Sequence, residues 1–377
     1  MKEASLKNTE LKMRALITFS LILSIELHAA ILSEDLPKDK NIIPLEKIGE
    51  ICVPDEMGCF LKITGICVDK HNNLYVADSE RNKIFKFNSK GDLQYIIGEF
   101  GQGPGEFLGN THNCYLEISY GNDDNLYIVD SCNKRISVFS TNGILLKSFN
   151  LRNVLYDSAA VNSRGDIYIL SHSGLKALER RDINFRFKDY LFDYEDHLQF
   201  PHGEPIIIGK KPAIPYEYRR PNKLEIIKLM MKNDNLAVLS NYSWKVLIFD
   251  LNNNVTSQFS IEDKELIKDF KNQLIQMKNA YAKQSKKKKN RLISAYIAPF
   301  KAFLLFNNDI CFVYEDSAGY IFIYQYRTDG TLIHRYVFPD KIHGHYFACS
   351  SSGIIFVTTN KRTKIAFYQI KTEEVSS

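Results

Sequence analysis

Short runs in which apolar and polar positions alternate fill most of the chain, and clusters of Gly, Asn, Asp and Ser interrupt them about every eight to twelve residues, the rhythm of an all-β fold. Two stretches share one pattern: GICVDKHNNLYVADSERNKIFKFNSKGDL, from Gly65, and YLEISYGNDDNLYIVDSCNKRISVFSTNGIL, from Tyr115. Each reads as an apolar strand, a turn, the run N-L-Y-[VI]-x-D-S, a short loop with Asn-Lys, an alternating strand, and a turn ending in Gly. Weaker copies begin at Gly165, Asp234, Asn308 and Ser352.

The equivalent positions Leu74, Leu126, Ile167, Leu236, Ile310 and Ile354 are 52, 41, 69, 74 and 44 residues apart. The two long gaps contain insertions at 193–222 and 262–298, and without those the gaps fall to 39 and 37 residues. A period of about 40–50 residues is that of a four-stranded propeller blade. The last repeat has only three strands, and Ile42–Ile51 (IIPLEKIGEI) is an apolar strand ahead of the first full blade. The expected fold is all-β: a six-bladed β-propeller over 42–377 whose ring is closed by this N-terminal strand, which removes an exposed sheet edge.

The second insertion carries Leu266, Ile267, Phe270, Leu274, Ile275, Met277 and Tyr281 at helical spacing behind Ser260 or Glu262-Asp263. It predicts one amphipathic helix, acidic at its start, with an apolar stripe that packs on the propeller. The first insertion reads as an ordered loop.

The pattern resembles the NHL repeat family, most strongly over residues 63–139. Gly65-Ile66-Cys67-Val68-Asp69, Asn73 to Ser79, Asn82-Lys83-Ile84 and the connector Gly98-x-x-Gly101-x-Gly103-Pro104-Gly105-x-Phe107 carry the likeness, and the second repeat keeps Asp130-Ser131, Asn133, Arg135-Ile136 and Phe139. The later repeats retain the strand pattern alone. The resemblance implies a six-bladed propeller, in a family that spans enzymes, binding modules and interaction platforms, so the fold does not fix the function.

Composition adds little. With 45% hydrophobic and 25% charged residues the chain has ample material for a core, and a net charge of +5 does not by itself argue for nucleic acid. The N-terminus matters more: Lys7, Lys12 and Arg14 precede an apolar run from Ala15 to Leu27 and the small residues Ala29 and Ala30. Residues 1–30 read as a signal peptide, with Met13 an alternative start, and the run is short for a membrane span. The expected localisation is export, periplasmic or extracellular, with membrane anchoring not favoured. Seven cysteines cannot all pair within one chain, and Cys52 with Cys59 is the pair whose spacing invites a local disulfide.

Asp78, Asn82, Asp130 and Asn133 read as blade signatures that hold the turn between the second and third strands through backbone hydrogen bonds. The glycine string Gly98–Phe107 leads into a strand instead of a helix, so it reads as an inter-blade connector and not as a phosphate loop. In a blade meander the turns between strands two and three and the inter-blade connectors share one face, which collects His112, His172, His202, His343 and His345 and leaves His71 on the other. His112, His172 and His345 are the candidate ligand or metal residues, since imidazoles at a channel mouth can bind a divalent metal and activate water. Peptidyl-hydroxyglycine lyases are similar in using NHL-type blades with metal-bound histidines, but here the histidines lack a repeated spacing. Lys286, Lys287, Lys288, Lys289 and Arg291 form a basic surface at the helix C-terminus, where cations suit the dipole.

No nucleophile elbow, His-Glu-x-x-His helix or Walker motif is present. The leading expectation is a non-catalytic module, with no cofactor required, that binds a protein, peptide or glycan, and not nucleic acid, at the face bearing the insertions. The alternative is a metal-assisted lyase or hydrolase.

Overall fold

The computed structural model describes residues 42–52, 59–109, 114–151, 156–171, 176–193, 207–208, 211–212, 227–240, 244–285, 300–306, 308–342, 344–359 and 362–370. They form a six-bladed β-propeller. Blade 1 is β3 (Ile63–Val68), β4 (Leu74–Asp78), β5 (Lys83–Phe87) and β6 (Leu93–Ile97). Blade 2 is β7 (Leu116–Tyr120), β8 (Asn125–Asp130), β9 (Arg135–Ser140) and β10 (Leu145–Asn150), and blade 3 is β11 (Tyr156–Val161), β12 (Ile167–Ser171), β13 (Lys176–Arg181) and β14 (Phe187–Asp193). A small hairpin, β15 (Ile207–Ile208) with β16 (Lys211–Pro212), precedes blade 4, which is β17 (Ile227–Lys232), β18 (Asn235–Ser240), β19 (Lys245–Phe249) and β20 (Val255–Ser260). After helix α1 (Lys264–Ser285) comes blade 5, of β21 (Phe300–Phe306), β22 (Asp309–Glu315), β23 (Ile321–Tyr326) and β24 (Leu332–Val337). Blade 6 draws β25 (Phe347–Cys349), β26 (Ile354–Thr359) and β27 (Lys364–Gln369) from the C-terminal end. Each blade is an antiparallel meander, and the innermost strands follow one another around the ring, with β25 returning to β3.

Second strands explain why the N-L-Y runs are almost wholly apolar. A blade is packed on both faces, so alternate residues of one strand enter different interfaces. In β4, Leu74 and Val76 join the cluster shared with blade 6, whereas Tyr75 and Ala77 join the one shared with blade 2. In β8, Leu126 and Ile128 face blade 1 while Tyr127 and Val129 face blade 3. The core is therefore six wedges, one per blade interface, and each fully buried Leu, Ile or Val contributes about 2 kcal/mol of apolar transfer.

The closure differs in one respect from a single Ile42–Ile51 strand. The chain breaks at buried Leu45 into β1 (Ile42–Pro44) and β2 (Glu46–Ile51). The first runs parallel to β24 as a fifth strand of blade 5, and the second is antiparallel to β27 as the outer strand of blade 6. Leu45 anchors the step: its amide donates to the Val337 carbonyl at 2.9 Å, and its side chain enters the wedge between blades 5 and 6. The N-terminal segment thus ties two blades together, and Pro44, which lacks an N–H, sits at the end of an outermost strand where it costs no ladder bond.

Among the described residues α1 is the one α-helix, and no helix is long and apolar enough to cross a membrane. Its start is set by Asp263, whose carboxylate accepts from the amides of Glu265 and Leu266, both at 3.0 Å, an N-cap. Leu266 and Phe270 are buried between blades 4 and 5, with Ile267 beside them. Ile275 departs from the expected apolar stripe and is 55% exposed. The other residues of that stripe, Leu274, Met277 and Tyr281, have side chains outside the described set. The segment 1–41, with the expected signal peptide, also lies outside the described residues.

Candidate functional site

The turns between strands two and three and the inter-blade connectors emerge together on one side of the ring, the connector face. In blade 1 this face is organised by Asp78 at the end of β4. Its fully buried carboxylate accepts from the amides of Leu61 at 2.8 Å and Lys62 at 3.1 Å, just ahead of β3, and from the Arg81 amide at 3.3 Å in the following turn. One carboxylate therefore holds both the entry to the blade and its turn. Asp130 repeats the arrangement in blade 2, accepting from the Leu108 amide at 3.1 Å and from the Asn133 amide and side chain at 3.2 and 2.7 Å. Asn82 accepts from the Gly109 amide at 2.7 Å and so ties the blade 1 turn to the next connector. Asn82 itself sits at a φ of 57°, a left-handed position that Asn tolerates better than most residues.

The Gly98–Phe107 connector folds onto itself. Phe100 and Phe107 form an isolated bridge, and the Glu106 carboxylate accepts from the Gly103 amide at 2.7 Å. Arg135, at the start of β9, donates to the carbonyls of Gln102 and Gly103, each at 2.9 Å, and of Glu106. Gly98 has a φ of 89°, and a Cβ there would lie 2.2 Å from the Phe107 ring, so glycine is required for that ring to fill the wedge between blades 1 and 2. The carboxylate beside the Gly103 amide leaves this loop unlike an open anion cradle, and β7 follows where a phosphate loop has a helix.

Across the ring, α1 covers the same face at blades 4 and 5. Asp269 is its docking residue. It accepts from the Tyr314 hydroxyl at 2.6 Å, the Gln273 side chain at 3.0 Å, the Ser317 amide at 3.0 Å and the Ser317 hydroxyl. Burial alone would raise this carboxyl, but the hydrogen bonds from Ser317, Tyr314 and Gln273 outweigh it and hold Asp269 below the ordinary Asp range. Arg335 of β24 donates to Asp263 at 2.5 Å and to Glu265 at 3.3 Å, binding the first turn of the helix to blade 5. Trp244, the sole tryptophan, lies at 1% exposure beneath the helix, its ring 5.2 Å from Phe270 and 5.4 Å from Phe300.

The opposite face is built differently. There the turns between first and second strands lie next to the channel, and polar side chains lace them together. The Ser351 amide and hydroxyl donate to Asn72 at 3.0 and 2.8 Å, joining blade 6 to blade 1. Lys70 pairs with Asp124, joining blade 1 to blade 2. Asp234 of blade 4 accepts from Asn122 of blade 2 at 3.3 Å and from the Ser163 amide and hydroxyl of blade 3 at 2.7 and 2.6 Å. Asn233 donates to Asn308 of blade 5 at 3.2 Å. Blades 2 and 4 are not neighbours, so the Asn122–Asp234 bond passes along the channel side of blade 3. Together these bonds connect all six blades on that face.

Of the histidines expected on the connector face, His345 lies in the connector before β25. It is exposed, and its amide donates to the Thr358 hydroxyl at 3.3 Å. His112, His172, His202 and His343 fall outside the described residues, as does the basic run Lys286 to Lys289 with Arg291. His71 is in the blade 1 turn of the opposite face, its amide donating to Asp69 at 2.9 Å. Among the described residues no group of three or more His, Cys, Asp or Glu side chains is arranged to hold a metal ion.

Cysteine pairing adds a bond that the sequence reading does not single out. Cys114 and Cys132 form a disulfide, with Cα atoms 5.4 Å apart, whereas Cys52 and Cys59 are free thiols. The signal was present in the strand register: β7 and β8 pair Leu116 with Asp130, and extending that register by two residues sets Cys114 opposite Cys132. Neither the opposite-face lacing nor the role of Asp269 has a comparable signal, because each depends on residues far apart in sequence.

Residues 56–212 match the model of the family DUF5128, described as a 6-bladed beta-propeller. Among solved structures, a member of the DUF4221 family from Bacteroides vulgatus is 11% identical with a TM-score of 0.54, over 88% of this chain and 99% of that one. A Bacteroides fragilis protein named "Putative exported protein" is 14% identical with a TM-score of 0.51, over 90% of this chain and 98% of that one. At these identities the likeness is one of fold. Among curated proteins no match is found.

Proposed function

We propose that this protein is an exported, non-catalytic binding propeller that takes a protein, peptide or glycan ligand on its connector face. The observation that carries the reading is the asymmetry of the two faces. One face is laced between blades by hydrogen bonds such as those from Asn122 and Ser163 to Asp234, while the other carries the docked helix α1 and the folded Gly98–Phe107 connector, where Phe100 is exposed. Loops on a rigid scaffold are where binding residues concentrate. The polar groups placed on that face, Asp78, Asp130, Asn133 and Asp269, are each engaged in holding backbone or helix, which suits a contact surface better than a reaction centre. Descent from NHL-type repeats accounts for the signature retained in blades 1 and 2.

Export is supported by the charged and then apolar N-terminal segment, and by the Cys114–Cys132 disulfide, which belongs in an oxidising compartment. The name of the similar Bacteroides fragilis protein points the same way.

The test is affinity purification of the full-length protein from its own compartment, with metal analysis and identification of what co-elutes. The proposal expects a co-eluting ligand that is lost from a Leu61→Glu, Phe100→Glu variant and kept by an Ile144→Glu variant, whose substitution lies on the opposite face. Stoichiometric metal that survives dialysis and disappears from a His112→Ala, His172→Ala variant would replace this reading with the metal-assisted lyase or hydrolase.

A further inference from the structure

We infer that Cys52 and Cys59 are the site of a second disulfide, one that bolts the ring-closing strand to the first blade. Their Sγ atoms lie 3.1 Å apart, and both thiols are held there by anchored neighbours. Cys52 directly follows Ile51, the last residue of β2, which is buried between blades 6 and 1. Cys59 directly precedes Phe60, whose ring is buried against Phe85 and Phe87 and whose amide donates to the Thr363 carbonyl of blade 6 at 3.1 Å. Arg81 donates to the Cys59 carbonyl at 2.9 Å. Two sulfurs fixed by packing on either side need little backbone movement to bond.

The reaction is thiol–disulfide exchange with a small or protein disulfide donor. The Cys59 thiol, the more exposed of the two, loses its proton and attacks one donor sulfur, giving a mixed disulfide and releasing one donor thiolate. The Cys52 thiol loses its proton in turn and attacks the Cys59 sulfur, forming the S–S bond and releasing the second donor thiolate. Two cysteine thiols are oxidised and one donor disulfide is reduced to two thiols. Burial, with the hydrogen bond to Cys59, raises the Cys52 thiol above its ordinary value, which disfavours its thiolate, so it attacks only in the second step, with the Cys59 sulfur held 3.1 Å away.

The consequence falls on the seam. Blade 6 is assembled from both ends of the chain and depends on β2 remaining paired with β27. A bond from the end of β2 to Cys59, ahead of blade 1, cross-links the closing strand to that blade, so a detached β2 has fewer places to go.

The test uses the full-length protein, folded, exposed to oxidised glutathione, then denatured and alkylated without reductant. Three alkylated cysteines, Cys67, Cys311 and Cys349, together with a cross-linked Cys52–Cys59 peptide are expected; alkylation or lasting glutathione adducts at Cys52 and Cys59 would overturn the pairing. Hydrogen exchange at Glu46–Ile51 should be slower in the oxidised protein than in a Cys52→Ser, Cys59→Ser variant by a factor on the order of ten. Equal exchange in a protein shown to carry the bond would overturn its role at the seam.

Discussion

Blades 1 and 2 and blades 4 and 5 solve one structural problem with different chemistry. Each pair must fix the connector between its blades against the turn that follows a second strand. In blades 1 and 2 this is done by polar nodes, the buried Asp78 and Asp130 collecting backbone amides, with Asn82 and Arg135 tying down the glycine connector. In blades 4 and 5 the turn residue Trp244 occupies a left-handed φ of 53° and buries its ring, and the space above it is filled by Phe270, Phe300 and Leu266 under a helix fastened through Asp269 and Arg335. The backbone bond that closes the turn survives the exchange: Leu151 donates to the Lys134 carbonyl in blade 2, and Ile261 donates to the Trp244 carbonyl in blade 4. The lesson is that the ring constrains backbone geometry at this position and leaves the side-chain means open.

The largest effect expected is at a polar node. Asp78→Ala strands two connector amides and removes the carboxylate 3.4 Å from the Arg81 guanidinium, and should cost about 4 kcal/mol in urea unfolding. A loss near that of an exposed substitution would mean that the connector does not depend on this carboxylate. On the other side of the ring, Phe270→Ala removes the ring beside Trp244 and should cost about 3 kcal/mol, with tryptophan emission moving to the red. Unchanged emission would place the helix elsewhere.

Acidification separates the regions further. Because Asp269 is held below its ordinary range, its contribution to helix docking is complete above about pH 4 and is lost as pH falls through its lower folded value. The Trp244 emission should therefore shift only at acid pH, and Asp269→Asn should flatten that step; a transition centred near neutrality would contradict the assignment. The smallest effect belongs to exposed His345: His345→Ala should change unfolding stability by less than about 0.5 kcal/mol.

Much of the ring was legible in the sequence because both faces of every second strand are buried. That makes the apolar runs starting at Leu74, Leu126, Leu236 and Ile310 conspicuous even where the signature polar residues are gone. The helix was legible for the same reason, through Leu266 and Phe270, though Ile275 shows that periodicity marks an apolar stripe without marking where its contact ends. The break at Leu45 was not legible, since IIPLEKIGEI is continuous as a pattern and only the presence of two neighbouring outer strands, β24 and β27, divides it. The candidate site was the least legible part. Asp269, Asn122 and Asp234 acquire their roles from partners on other blades, and nothing local distinguishes them from solvated polar residues.

The most direct test of binding at the connector face is hydrogen exchange on the full-length protein, alone and with the ligand recovered from its compartment. Protection is expected at Leu61–Lys62, along Gly98–Phe107, at Asp316–Tyr320 and at His345–Tyr346, with the turns at Asn72, Asp124, Ser163, Asn233 and Ser351 unchanged. Protection confined to those turns would place the ligand on the laced mouth and contradict the account.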